Sequence, residues 1–237
     1  MEKLLIISGL VMMPILTAMS QDPAYWAFRP LGAVEVPAVN DKQWVRNEID
    51  HFVLARANEK GVFPNGPADR QTLIRRVYFD LTGLAPVRDE VAEFVESTSP
   101  DAYGKIISRL LSSPHYGERW GRHWLDVARF GESHGYESDN ERPTAWTYRD
   151  AVIRALNEDM PFDRFVRWQV AGDVLQGDDP LATALTGFIT SGSTVTNVDG
   201  VDRERATYDK MDDIVSATGA AFLGLTIGCA RCHDHKY

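Results

Sequence analysis

The chain has few of the features that define several protein classes. Only two of its 237 residues are cysteine, too few to staple a small disulfide scaffold. The net charge of −9 disfavours nucleic acid and anionic membranes as partners. No internal repeat or low-complexity segment is present, and no apolar run reaches the about 20 residues that a membrane span needs. The remaining class is a globular protein with its own hydrophobic core.

The N-terminus nevertheless carries a short apolar stretch. Lys3 precedes mostly apolar residues 4–18, and the sequence Ala18-Met19-Ser20 then resembles a cleavage site before a polar segment. This pattern predicts a secretory signal peptide over residues 1–20 and a mature chain over residues 21–237. Glu2 is atypical of such a signal, so an uncleaved anchor is the alternative. We expect an exported protein, periplasmic or on the cell surface, with no stable membrane insertion after cleavage.

The two cysteines lie three positions apart and are followed by a histidine. Cys229, Cys232 and His233 form the motif C-A-R-C-H, which is the attachment signature of a c-type haem. In such a site each thiol bonds a haem vinyl group and the imidazole becomes the proximal iron ligand. The sequence therefore predicts covalent haem c on Cys229 and Cys232, with His233 on the iron.

Two other uses of this motif stay open. Export permits a disulfide between the cysteines, or a redox-active dithiol. A zinc site with His233 and His235 is the weaker alternative, because four ligands within seven residues cannot easily surround one ion tetrahedrally.

The second axial ligand of the haem is not defined by the motif. Met211 is the main methionine candidate, although its place on an apolar helical stripe favours a core residue. His235 is the poorest histidine, because a residue two positions from the proximal ligand cannot easily reach the opposite haem face. The other histidine candidates are His115, His123 and His134.

Apolar residues recur at helical spacing along most of the chain, which predicts an all-α, irregular multi-helix domain. Asp69 is the expected N-cap of the second helix and Gly83 its expected end. The predicted helices cover residues 41–60, 70–81, 87–96, 101–111, 114–130, 144–157, 161–174 and 204–225, with residues 181–189 ambiguous and loops at 131–143 and 191–202. One buried stripe is expected on the last helix, formed by Tyr208, Met211, Val215, Thr218, Phe222 and Leu225.

Ionisable residues are dense around the fifth predicted helix and the loop after it. His123, Asp126 and Arg129 share a helix face, and the loop adds Glu132, His134, Glu137 and Asp139. His123 with Asp126 predicts an oriented general base, or, together with the loop acids, a divalent metal site. The alternative is a buried arginine–carboxylate network that joins helix to loop. In each case we expect one buried polar cluster.

Four segments of the chain resemble successive blocks of a known family. They are D-R-Q-T-L-I-R-R-V-Y-F-D-L-T-G-L-A-P, S-P-H-Y-G-E-R-W-G-R-H-W-L-D-V-A-R-F, Y-R-D-A-V-I-R-A-L-N and F-L-G-L-T-I-G-C-A-R-C-H-D-H-K. From about Trp26 onward the chain is similar to the large secreted planctomycete cytochrome c-associated proteins, whose central domain has no established function.

This resemblance implies haem binding through Cys229, Cys232 and His233, beside an adjoining cytochrome c-like domain. The chain differs from that pattern in having no cytochrome domain before Trp26. It also ends at Tyr237, where relatives continue, and we therefore expect a C-terminal truncation.

The sequence thus favours an exported c-type haem-binding protein that transfers electrons within a larger periplasmic or surface assembly. Its partner would be a redox protein or an adjoining cytochrome domain. The alternative is a metal-dependent or hydrolase-like enzyme centred on His123, Asp126 and the acidic loop, with structural cysteines. A third hypothesis is a non-catalytic binding module in polysaccharide uptake. Whether the protein is an enzyme stays open.

Overall fold

The computed structural model describes residues 29–41, 43–136 and 139–234. The predicted signal peptide lies outside these ranges. Within them the chain forms no strand, only an isolated antiparallel bridge between Ser133 and Glu141, which confirms the all-α prediction. None of the described helices has both the length and the apolarity needed to cross a bilayer.

The helical segments follow one another along the chain in the order that the apolar periodicity predicts. They are α1 Glu48–Glu59, α2 Arg70–Thr82, α3 Arg88–Glu96, α4 Ala102–Leu111, α5 Pro114–Val127, α6 Trp146–Asn157, α7 Phe162–Leu175, α8 Pro180–Leu185, α9 Gly187–Thr190 and α10 Arg203–Thr218. A π-helical turn, Gly219–Leu223, and a 3-10 turn, Gly228–Arg231, complete the described chain. The ambiguous segment at 181–189 is therefore helical.

The described residues separate into two compact units. The first contains the residues up to Pro64 together with Asp234, and the second contains Asn65–His233. In the first unit α1 begins with a capping box, in which the Asn47 side chain accepts the Asp50 N–H at 3.1 Å and the Asp50 carboxylate accepts the Asn47 N–H at 3.2 Å. That residues 21–237 form one domain stays a prediction.

Helices α2, α3 and α4 enclose the smaller of two cores in the second unit. The predicted ends of α2 are confirmed: the Asp69 carboxylate accepts the Thr72 N–H at 2.8 Å, and Gly83 takes the left-handed conformation with φ +71°. The buried residues of this core are Ile74, Val77, Tyr78, Phe94, Ile106 and Leu110.

The larger core lies among α5 to α10 and contains a short hydrogen-bond chain. The Trp124 Nε1–H donates to the Tyr148 hydroxyl at 3.0 Å, which donates to Gln169 Oε1 at 2.8 Å. Burial raises the pKa of Tyr148, so its hydroxyl stays protonated and keeps this donor role. The buried members are Ala128, Tyr148, Ala151, Val152, Ala155, Phe165, Leu181, Leu185, Phe188 and Ala217.

Two glycines allow α5 to approach α6 closely. A Cβ on Gly117 would lie 2.5 Å from the Ile153 carbonyl oxygen, and one on Gly121 would lie 3.1 Å from the Ile153 side chain. Asn157, at the end of α6, accepts the Gly117 N–H at 2.8 Å and donates to the Pro114 carbonyl at 3.1 Å. The first turn of α5, which would otherwise have free N–H groups, is thereby fixed to α6.

The predicted buried stripe of the last helix is wrong over its first half. Tyr208, Met211 and Val215 are 60%, 55% and 54% exposed. Only the C-terminal end packs on the larger core, where the Phe222 ring lies 5.0 Å from that of Phe188. The reason is that the larger core packs against the side of α10 that carries Ala217, which is buried. The chain thus has an apolar face on α10 that the described residues leave exposed.

Candidate functional site

The C-x-x-C-H motif lies on a tight turn at the surface. Cys229 is part of the 3-10 turn Gly228–Arg231 and Cys232 directly follows it, with the Cys232 N–H donating to the Cys229 carbonyl at 3.2 Å. Both thiols are free and exposed, and His233 is exposed beside them. The turn therefore leaves both sulfur atoms accessible to a reactant from solution.

An arginine within the motif attaches this turn to α10. The Arg231 guanidinium donates from Nη2 to the Asp209 carboxylate, and its Nη1 lies 3.6 Å from the Asp212 carboxylate. The hydrogen bond to Asp209 raises the pKa of Arg231 above its ordinary value. The sequence gives little indication of this contact, because Arg231 and Asp209 are 22 positions apart. The contact was therefore not predicted.

Between the turn and α10 lies a cavity of about 730 Å³, which we call the α10 groove. Its apolar part combines the exposed face of α10 with Ile227 and Ala230 of the turn region, and charged side chains surround it. The lining residues are Val201, Glu204, Arg205, Tyr208, Met211, Asp212, Val215, Ile227, Ala230 and Arg231. The motif turn thus forms one wall of an apolar groove.

The expected buried cluster around His123 and Asp126 is wrong. Both residues are exposed, and the His123 ring contacts Trp120 with the centroids 5.6 Å apart. Arg129 instead pairs with Asp213 of α10 at 2.8 Å. The reason is the chain reversal after α5, where Arg129 takes a left-handed conformation with φ +59°.

The acids of the loop also find other partners. Glu132 pairs with Arg149 of α6 at 2.6 Å, and the Asp139 carboxylate accepts the Gly135 N–H at 3.2 Å. Glu137 lies outside the described residues. Across the described ranges no group of three or more His, Cys, Asp or Glu side chains could hold a metal ion. A catalytic role for His123 and Asp126 stays a prediction without support from a contact between them.

A second cavity, of about 830 Å³, lies on another side of α10. Arg129 and Asp213 line it, together with residues of the loop after α9 such as Ser193 and Asn197. Gly192 lies beside the ion pair, and a Cβ there would lie 2.2 Å from the Asp213 carboxylate, so a larger residue would displace the Asp213 side chain. This polar cleft was not predicted, since its parts come from distant segments.

Removal of the arginine contact is expected to loosen the motif turn. In Arg231→Ala the amide of Cys232 should exchange its hydrogen about two- to fivefold faster, because an exposed ion pair contributes up to about 1 kcal/mol. Global stability should change by less than that. Arg167→Ala, which breaks an exposed pair with Asp163 on α7, is the matched control. Equal hydrogen-exchange rates at the Cys232 amide in the wild type and both variants would show that Arg231 does not hold the turn against α10.

Fold and site together define an all-α domain that displays an exposed C-x-x-C-H turn beside an apolar groove. The chain belongs to the PSCyt2 family, described as proteins of unknown function (DUF1549), whose profile matches residues 48–237. The family-level resemblance, to a planctomycete-associated and cytochrome-related group, is thereby confirmed. Searches of curated proteins and of solved structures gave no match to this chain.

Proposed function

We propose that this protein is an exported c-type haem-binding protein that transfers single electrons. Haem c would be held through Cys229 and Cys232, with His233 as the proximal iron ligand. The observation that carries this proposal is the pair of free, exposed thiols on a tight turn that walls an apolar groove. The partner would be a redox protein or an adjoining cytochrome domain in a larger periplasmic or surface assembly.

The residues present fit such a group. Each thiol would add across one vinyl group: a sulfur–carbon bond forms, and the thiol hydrogen ends on the other vinyl carbon. Both thiols are accessible for this addition, and the His233 imidazole follows directly in the chain. When bound, haem supplies one-electron chemistry at its iron.

The protein's own residues would then set the properties of the site. His233 would contribute an imidazole nitrogen to the iron, and Arg231 would keep the attachment turn against α10 through Asp209. Axial ligation and burial are two of the means by which a protein tunes a haem potential.

The proposal is tested with the full chain, expressed in a host that exports proteins and attaches c-type haem, and in the same host without the attachment machinery. We expect haem that survives denaturing electrophoresis, in equimolar amount by its pyridine haemochrome spectrum, from the first host only. If the chain from the haem-attaching host lacks covalent haem, and peptide mass mapping finds Cys229 and Cys232 joined in a disulfide, this proposal is wrong. The motif then forms a structural or redox-active disulfide instead.

A further inference from the structure

We infer that the polar cleft between α10 and the loop after α9 binds a neutral saccharide. This cleft is the cavity of about 830 Å³ that Arg129 and Asp213 line, and its volume lies within the range of pockets that hold small ligands. Among the described residues that line it, none belongs to the C-x-x-C-H motif. The inference therefore adds a ligand-binding function that does not depend on the proposed haem attachment.

Hydrogen bonds between two loops give the cleft a fixed wall. The Thr194 N–H, in the loop after α9, donates to the His134 carbonyl of the loop after α5 at 3.0 Å. The Arg142 guanidinium donates to the Ser191 carbonyl at 2.9 Å. The wall is thus held in place before a ligand arrives, which lowers the entropy cost of binding.

Several polar side chains of the cleft are not used by the fold. Within the described ranges, the side chains of Ser193, Asn197 and Lys210 make no hydrogen bond or ion pair, although all three line the cavity. A hydroxyl, an amide and an ammonium group together supply both donors and acceptors. The cleft therefore has hydrogen-bonding capacity for the hydroxyl groups of a ligand.

The charges of the cleft favour a ligand without net charge. Arg129 donates from both Nε and Nη2 to the Asp213 carboxylate, at 3.1 and 2.8 Å, so these two side chains neutralise each other. The other charged lining residues are Asp199, Asp202, Asp209, Arg205 and Lys210. An anion would meet three further carboxylates here, and a cation would meet two further basic groups. Sugar hydroxyls donate to carboxylates and accept from basic groups, so a neutral saccharide contacts both kinds favourably.

An exposed aromatic ring supplies the apolar contact. Tyr136 lines the cavity and is 59% exposed. Its backbone takes the left-handed conformation with φ +59°, directly after Gly135 with φ +70°. Bulky residues rarely adopt this conformation, and such strain occurs often at ligand sites. The flat ring offers a surface for the C–H face of a pyranose, while the polar groups contact the hydroxyls.

Binding is tested by isothermal titration calorimetry of the full chain with cellotriose, maltotriose and mannotriose as neutral probes. Trigalacturonate and the glucosamine trimer are the anionic and cationic counterparts. We expect saturable binding of at least one neutral trimer, with a dissociation constant of about 1 mM or tighter. The charged trimers should not bind under the same conditions, because each meets groups of its own sign.

The site is tested with Tyr136→Ala, which removes the ring and should weaken binding of the neutral probe about tenfold, whereas Tyr136→Phe keeps the ring and should bind within about twofold of the wild type. Tyr208→Ala is the matched control, because Tyr208 is 60% exposed on α10 but lines the α10 groove instead. It should bind as the wild type does. Lys210→Ala should weaken binding about three- to tenfold and leave the urea midpoint unchanged.

The outcomes separate this inference from the proposed function. The chain with both Cys229 and Cys232 replaced by alanine should bind the neutral probe as the wild type does, and loss of binding in it would overturn the inference. If no neutral trimer binds, if a charged trimer binds more tightly, or if Tyr136→Ala and Tyr208→Ala bind alike, the cleft is not a saccharide site and the proposed function stands. Saccharide binding at the cleft of a chain that never acquires covalent haem would overturn the function and support this inference.

Discussion

Replacement of both Cys229 and Cys232 by alanine is expected to abolish covalent haem completely. No other cysteine exists in the chain to form a thioether. Each single variant should retain haem through one bond and show a shifted pyridine haemochrome band, because one vinyl group stays unreacted. His233→Ala should keep the covalent bonds but give a shifted spectrum, since the iron loses its proximal ligand. Haem staining after denaturing electrophoresis and absorption spectra measure both effects.

Ala230→Ser serves as the control for this series, because the signature leaves the two positions between the cysteines variable. It should carry the wild-type amount of haem. Covalent haem in the double variant would show that the linkage lies elsewhere and that the motif turn is not the attachment site.

Gly172→Ala is expected to lower the free energy of unfolding by about 3 kcal/mol. Gly172 is buried on α7 next to a kink at Ala171, and a Cβ there would lie 2.1 Å from the Ala182 carbonyl oxygen of α8. Because the neighbour is backbone, relief requires the two helices to separate. Urea unfolding of the haem-free chain, followed by circular dichroism, measures the change.

Gly200→Ala is the matched control for this substitution. A Cβ built on Gly200 would have no neighbouring atom within 4 Å. The urea midpoint of this variant should therefore stay at the wild-type value, or rise slightly because the unfolded chain has less entropy. Equal midpoints for the two variants would show that α7 and α8 do not approach as closely as described.

The sequence by itself determined the local structure. Helix positions followed from apolar periodicity, and the limits of α2 followed from Asp69 and Gly83, because caps depend on residues within a few positions. The motif at Cys229, Cys232 and His233 was also evident, since its chemistry depends on short spacing. These features need no knowledge of distant neighbours.

Tertiary structure alone decided which faces and charges meet. Arg129 pairs with Asp213, 84 positions away, instead of the adjacent acids, so His123 and Asp126 stay at the surface. Helical spacing defined the stripe on α10, but the packing partners of each turn decided that Phe222 is covered and Met211 is exposed. Periodicity specifies which residues share a face, whereas burial depends on what the rest of the chain places against that face.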